Sequence, residues 1–252
     1  MELIKIYPFN GDKTYLLSEA SRLSDENCTL GDHILKQKDN LISSRSNSKD
    51  IPFVVAASLG NGNLYIDRIA TRFIFILEAN DGELILGTPD VKKADVNKRL
   101  TFSSFKVKNG DYFTIPKGTV FSVGERISYI EVYPKTNNLN LIDTNEALNE
   151  FSLPEFAPLL KKPAIKNENE GFSVKIMSTC ESYTVAQITV VGKYSNSIGS
   201  GSFKFFFCLD GVGEIEYNGK TRKISASDCI FAPSGFGDFT ISGGMEILVF
   251  SK

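Results

Sequence analysis

The sequence is nearly without histidine: His33 is the single one in 252 residues. A catalytic zinc site takes about three protein ligands from His, Glu, Asp or Cys, and a Ser-His-Asp or Cys-His arrangement needs a histidine beside its nucleophile. His33 lies in GDHILK, read as an exposed turn, so neither chemistry has its usual base. An excess of positive charge is missing as well. With 28 Lys and Arg against 30 Asp and Glu, the net charge is −2. No basic face for a phosphate backbone is expected, and no nucleic-acid partner is expected. No run of about 18 apolar residues occurs. The opening MELIKIYPFNGDKTYLL lacks the basic region, apolar stretch and small-residue cleavage site of a secretion signal. No membrane partner and a cytoplasmic location are therefore expected. The four cysteines (Cys28, Cys180, Cys208, Cys229) show no CxxC spacing, and two sit in the apolar runs FFFCL and DCIFAP. They are expected to be reduced, with Cys208 and Cys229 acting as small buried hydrophobes. Tryptophan is absent, and 19 phenylalanines supply most of the aromatic bulk.

Short apolar runs punctuated by Gly, Asn, Asp and Pro fill most of the chain, the pattern of an all-β protein. FVVAASL (53–59), FIFILE (73–78), YFTIP (112–116), YIEVY (129–133), FKFFFCL (203–209) and MEILVF (245–250) are the clearest strands. Helical periodicity is confined to DTNEALNEFS (143–152), with Asp143 or Thr144 as cap and Pro154 beyond it. LPEFAPLLKKPAIKNENEG (153–171), with three prolines and a charged tail, has the composition of a linker. The expected organisation is an N-terminal extension (1–50) packing on a first domain (51–155), a linker (156–171) and a second domain (172–252).

The two domains repeat one another. Displacing the second by 117 residues lays ISASDCIFAPSG (224–235) on VKNGDYFTIPKG (107–118) without a gap, matching Asp228 to Asp111, Pro233 to Pro116 and Gly235 to Gly118. Strands in this order suit a small double-sheet jelly roll, in which sandwiching hides the strand edges. GKYSNSIGSGS (192–202) and SGFGDF (234–239) are Gly- and Ser-rich but lack the strand–GxxxxGK[ST]–helix context of a phosphate loop, and are read as turns.

GDYFTIPKGTVFSVG (110–124) and the C-terminal GVGEIEYNGKTRKISASDCIFAPSGFGDFTISGG (211–244) resemble the cupin superfamily, and within it the type I mannose-6-phosphate isomerases of the short bacterial kind. The resemblance covers about residues 51–252 and implies two cupin-like double-stranded β-helix units. It also implies interconversion of mannose 6-phosphate and fructose 6-phosphate at a zinc. In that family the zinc is held by a Gln-x-His pair, a glutamate from a Lys-(Thr/Pro)-Glu segment and a histidine. Here the histidine position is Phe121, the Lys-Thr-Glu segment aligns with Ala70-Thr71-Arg72, and GNGNLYID (60–67) has no histidine for the pair. The family's arginine-bearing segment aligns with PKTNNLNLID (134–143), which has no arginine. Zinc is thus expected from the family while its ligands are substituted, and the expected cofactor is none.

Glu131 matches a glutamate that the family carries on the strand after the histidine, and alternation aims it inward with Tyr129 and Tyr133. An inward Arg72 would pair with it, either as a merely structural ion pair or as the polar centre of a ligand site. Lys117 and Arg126 are read as flanking the same mouth, within reach of a phosphate or simply solvated. The candidate ligand-binding residues are Arg72, Lys117, Phe121 and Glu131, with no metal ligand assigned. The leading functional expectation is a pseudoenzyme, a metal-free sugar or sugar-phosphate binding or regulatory protein. The alternative is an active aldose-ketose isomerase of carbohydrate metabolism with Glu131 as base. A third class is an interaction module whose partner covers residues 1–50.

Overall fold

The computed structural model describes residues 1–10, 13–23, 28–37, 39–45, 48–89, 100–135, 139–141 and 164–252. The expected helix at 143–152 and the first half of the expected linker lie outside them. Among the described residues strands dominate, as the short apolar runs predict, and they form two compact units, Val55–Lys161 and Met1–Val54 with Lys162–Lys252.

In the first unit one sheet orders the strands Tyr112–Ile115, Arg72–Ala79, Ile127–Pro134 and Phe53–Leu59, and the other orders Leu139–Leu141, Tyr65–Asp67, Val120–Val123, Glu83–Pro89 and Leu100–Lys106. Alternation along these strands sends Ile74 and Ile76, Leu84 and Leu86, Phe113 and Ile115, and Phe121 and Val123 into one shared apolar cluster. This cluster fills the space between the sheets, as expected of a two-layer β domain. A register shift between Ser128 and Tyr129 interrupts the pairing of Ile127–Pro134 with Arg72–Ala79. Beyond it Tyr129, Glu131 and Tyr133 share one face.

The second unit is built on two long strands, Lys204–Tyr217 and Gly237–Ser251, paired from Lys204↔Ser251 to Glu216↔Thr240. Its core is apolar, including Phe206, Ile215, Phe239, Ile247 and Cys208. Two expectations are corrected here, those for the linker and for His33. The N-terminal extension contributes Thr14–Leu17 and Phe9–Asn10 to the sheet that holds Phe53–Leu59, and groups by compactness with Lys162–Lys252. Its strand Ile4–Tyr7 pairs antiparallel with Cys229–Ala232, Leu3 enters the second core, and Lys5 pairs with Asp228 at 2.6 Å. Hydrogen bonding of the open edge of Cys229–Ala232, together with burial of Leu3 and Ile6, accounts for this docking. The linker expected at 156–171 contains the strand Ala164–Asn169, hydrogen-bonded to Phe172–Thr179, so the second domain's sheet starts before residue 172. His33, read as part of an exposed turn, lies on a short helix, Leu30–Lys36, where Thr29 and Asp32 form a reciprocal capping box and Leu30 and Ile34 are buried.

The repeat is reproduced bond by bond. Asp111 Oδ2 accepts from the Lys108 amide at 2.9 Å, and Asp228 Oδ2 accepts from the Ser225 amide at 2.8 Å. The Thr119 amide donates to the Pro116 carbonyl and the Phe236 amide to the Pro233 carbonyl, both at 3.2 Å. Gly118 and Gly235 both have positive φ, 78° and 73°, which favours glycine at each turn.

Candidate functional site

Three charged side chains are buried in the first unit's described residues, and they touch one another. Asp67 ends the strand Tyr65–Asp67, Arg72 begins Arg72–Ala79, and Glu131 lies mid-strand in Ile127–Pro134. The chain between Asp67 and Arg72 turns tightly: Asp67 Oδ1 accepts from the amides of Ile69 (3.1 Å) and Ala70 (2.9 Å). This Asx-type turn fixes the carboxylate, whose Oδ2 accepts from Arg72 Nε at 3.0 Å. Arg72 Nη1 donates to Glu131 Oε2 at 3.0 Å, and the guanidinium carbon stands 4.4 Å from the centroid of the Tyr133 ring. Arg72 is 0% exposed, Asp67 and Glu131 3% each. An arginine so deep is tolerable because its charge is paired on two sides and its face is covered by an aromatic ring.

Half-buried polar groups adjoin this cluster. Ser58 Oγ donates to Glu131 Oε1 at 3.2 Å. Tyr129 is held protonated well above the ordinary tyrosine value of 10.0, first by burial and then by the neighbouring Glu131 charge, with a Ser58 hydrogen bond opposing them. Tyr65 accepts a hydrogen bond from Asn61 Nδ2 at 2.8 Å, and its ring lies 6.1 Å from that of Phe121. Phe121 itself is 3% exposed and belongs to the apolar cluster.

The structure therefore brings together Arg72 and Glu131, and places Phe121 on the same interior. Lys117 is exposed in the turn whose Gly118 amide donates to the Asp67 carbonyl at 2.6 Å, near the cluster's end of the unit. Arg126 does not flank that end. It lies beyond the far end of Val120–Val123, where its carbonyl accepts from the Asn80 amide, because a whole strand separates it from Lys117. Sequence reasoning missed Asp67; the available signal was an Asp followed within three residues by a turn and then by the arginine that needed a partner.

These residues do not fit a zinc ion. Phe121 offers no lone pair, and Arg72 holds a positive charge against the two carboxylates that remain. Arg72 occupies one oxygen of each carboxylate, Asp67 Oδ2 and Glu131 Oε2, that a metal would need as ligands. Both carboxylates already accept hydrogen bonds from neighbouring protein groups. The arrangement sets carboxylate and hydroxyl oxygens next to aromatic rings.

Comparison with known proteins places the chain. The family model described as "Mannose-6-phosphate isomerase, cupin domain" matches residues 173–251. Two Bacillus subtilis (strain 168) proteins, the probable mannose-6-phosphate isomerase GmuF and the mannose-6-phosphate isomerase ManA, are each 23% identical, over 190 and 189 residues. These alignments span 68% and 67% of this chain but 60% of each relative's length. Among solved structures, that of mannose 6-phosphate isomerase from Bacillus subtilis superposes with a TM-score of 0.78 at 16% identity, covering 99% of both chains. The Salmonella typhimurium enzyme, bound to its substrate and to a zinc atom, superposes with a TM-score of 0.78 at 9% identity and the same coverage. These likenesses establish a cupin fold of the mannose-6-phosphate isomerase type. Among the described residues no helix is long and apolar enough to cross a membrane.

Proposed function

We propose that this cupin-type, mannose-6-phosphate isomerase-like protein is a metal-free binder of a sugar or sugar phosphate, a regulatory relative of the isomerases acting in the cytoplasm. One observation carries the reading: the guanidinium of Arg72 lies between Asp67 and Glu131, a fixed internal cation where a glutamate ligand is expected from the resemblance. Aldose-ketose interconversion moves a proton between adjacent carbons and develops negative charge on oxygen, which a divalent cation stabilises by Lewis acidity. A guanidinium already paired on two sides has little left to give a developing enediolate. Hydroxyl and carboxylate groups beside aromatic rings retain what is needed to hold a sugar.

The test is calorimetric titration of the intact protein with a panel of hexoses and hexose phosphates. Saturable heat at one site per chain with at least one of them is expected. Flat titrations throughout would overturn the binding reading, and zinc-dependent turnover of mannose 6-phosphate would assign the protein to the enzymes instead.

A further inference from the structure

We infer that the ligand of the first cupin unit is a neutral, polyhydroxylated sugar and not its phosphate ester. The inference deepens the binding reading above and rests on it. Its basis is the charge of the cluster: two carboxylates, Asp67 and Glu131, face one guanidinium, Arg72, leaving one net negative charge buried in the unit. In a partly desolvated interior that charge acts on any entering anion with less screening than water provides. Arg72 adds no counter-attraction, because its Nε and Nη1 are committed to the carboxylates and its face to Tyr133.

The cations left among the described residues of the unit are on its surface. Arg68, Lys117 and Lys135 are exposed, and an exposed cation paired with an anion contributes little once hydration and salt are counted. Arg126 is at the opposite end of Val120–Val123 from the cluster. A neutral sugar meets the reverse conditions. Its hydroxyls donate to carboxylate oxygens in charge-assisted hydrogen bonds, while Ser58, Tyr65 and Tyr129, all half-buried, offer groups that donate or accept. Thr119 Oγ1, two residues before Phe121, is buried with no protein partner and adds a further hydroxyl to that interior.

The experiment compares matched pairs by calorimetry on the intact protein: mannose against mannose 6-phosphate, and fructose against fructose 6-phosphate. The free sugar of at least one pair is expected to bind, with its phosphate at least about tenfold weaker. Glu131→Gln, which removes the net charge while keeping the side chain's size, is expected to narrow that gap. Ser58→Ala, at a half-buried position, is expected to weaken binding of the free sugar at least about threefold. A phosphate that binds as tightly as its free sugar, or tighter, overturns this inference and leaves the binding reading standing. Binding to no member of either pair, followed by binding to no other hexose or hexose phosphate, removes both. Sugar binding unchanged in Ser58→Ala overturns the placement of the ligand beside Glu131.

Discussion

The two cupin units share their turns and differ in their interiors. Asp111 and Asp228 tie the same loop amides, Gly118 and Gly235 take the same left-handed conformation, and Pro116 and Pro233 accept the same turn hydrogen bond. Among the described residues the core of the second unit is apolar, whereas the first adds a buried carboxylate–guanidinium–carboxylate cluster to its apolar filling. Local turn chemistry specifies the scaffold in both, and the interior positions are free to differ. A buried ion cluster is a poor device for stability alone, since well-packed hydrophobic residues do as well or better. Among the described residues it is present in one repeat and not in the other, which is the reason the proposed ligand site is assigned to the first interior.

The comparison breaks most sharply at Arg72. Arg72→Ala leaves Asp67 and Glu131 buried without their cation, and a loss of about 3–5 kcal/mol is expected in urea unfolding followed by circular dichroism. A loss under about 1 kcal/mol would show the cluster to be solvated. Phe121→Ala removes a buried ring from the apolar cluster and should destabilise by about 3–5 kcal/mol. The same assay checks it, and a small effect would mean that the ring does not fill the interior.

The shared scaffold is sharpened by a matched pair. Gly118→Ala and Gly235→Ala each force an alanine to positive φ, and each should lose about 1–2 kcal/mol. Clearly unequal losses would contradict the equivalence of the two turns. Alkaline pH gives a smaller effect. Tyr129 titrates above its ordinary value of 10.0, so its contribution is intact below that pH and is lost as pH rises above it. Tyr112, Tyr194 and Tyr217 are raised too, each chiefly by burial. Tyr129→Phe should therefore reduce, without abolishing, the loss of stability between about pH 10 and pH 12. Least of all, Lys5→Ala breaks a partly exposed pair with Asp228 and should change stability by about 0–1 kcal/mol.

Much of this architecture was legible in the sequence because its causes are local. Apolar runs of strand length, the Gly-Asp turn and the proline at a strand end each fix their own segment, and alternation from Tyr129 correctly turned Glu131 inward. What escaped has non-local causes. Ile4–Tyr7 docks on Cys229–Ala232 because an open edge lies there, and nothing near residue 4 encodes its partner. Asp67 escaped because its role depends on a turn that presents it to an arginine five residues on. Arg126 was misplaced because closeness in sequence to Lys117 conceals that a strand runs between them. The capping box of Thr29 and Asp32 was readable, though with only seven residues the helix offers little periodicity.

The most direct measurement is the zinc content of the protein purified without chelators, by elemental analysis, with mannose 6-phosphate isomerisation followed on the same sample before and after added zinc. The internal cation of Arg72 predicts substoichiometric zinc and no turnover in either condition. Stoichiometric zinc with turnover would contradict it.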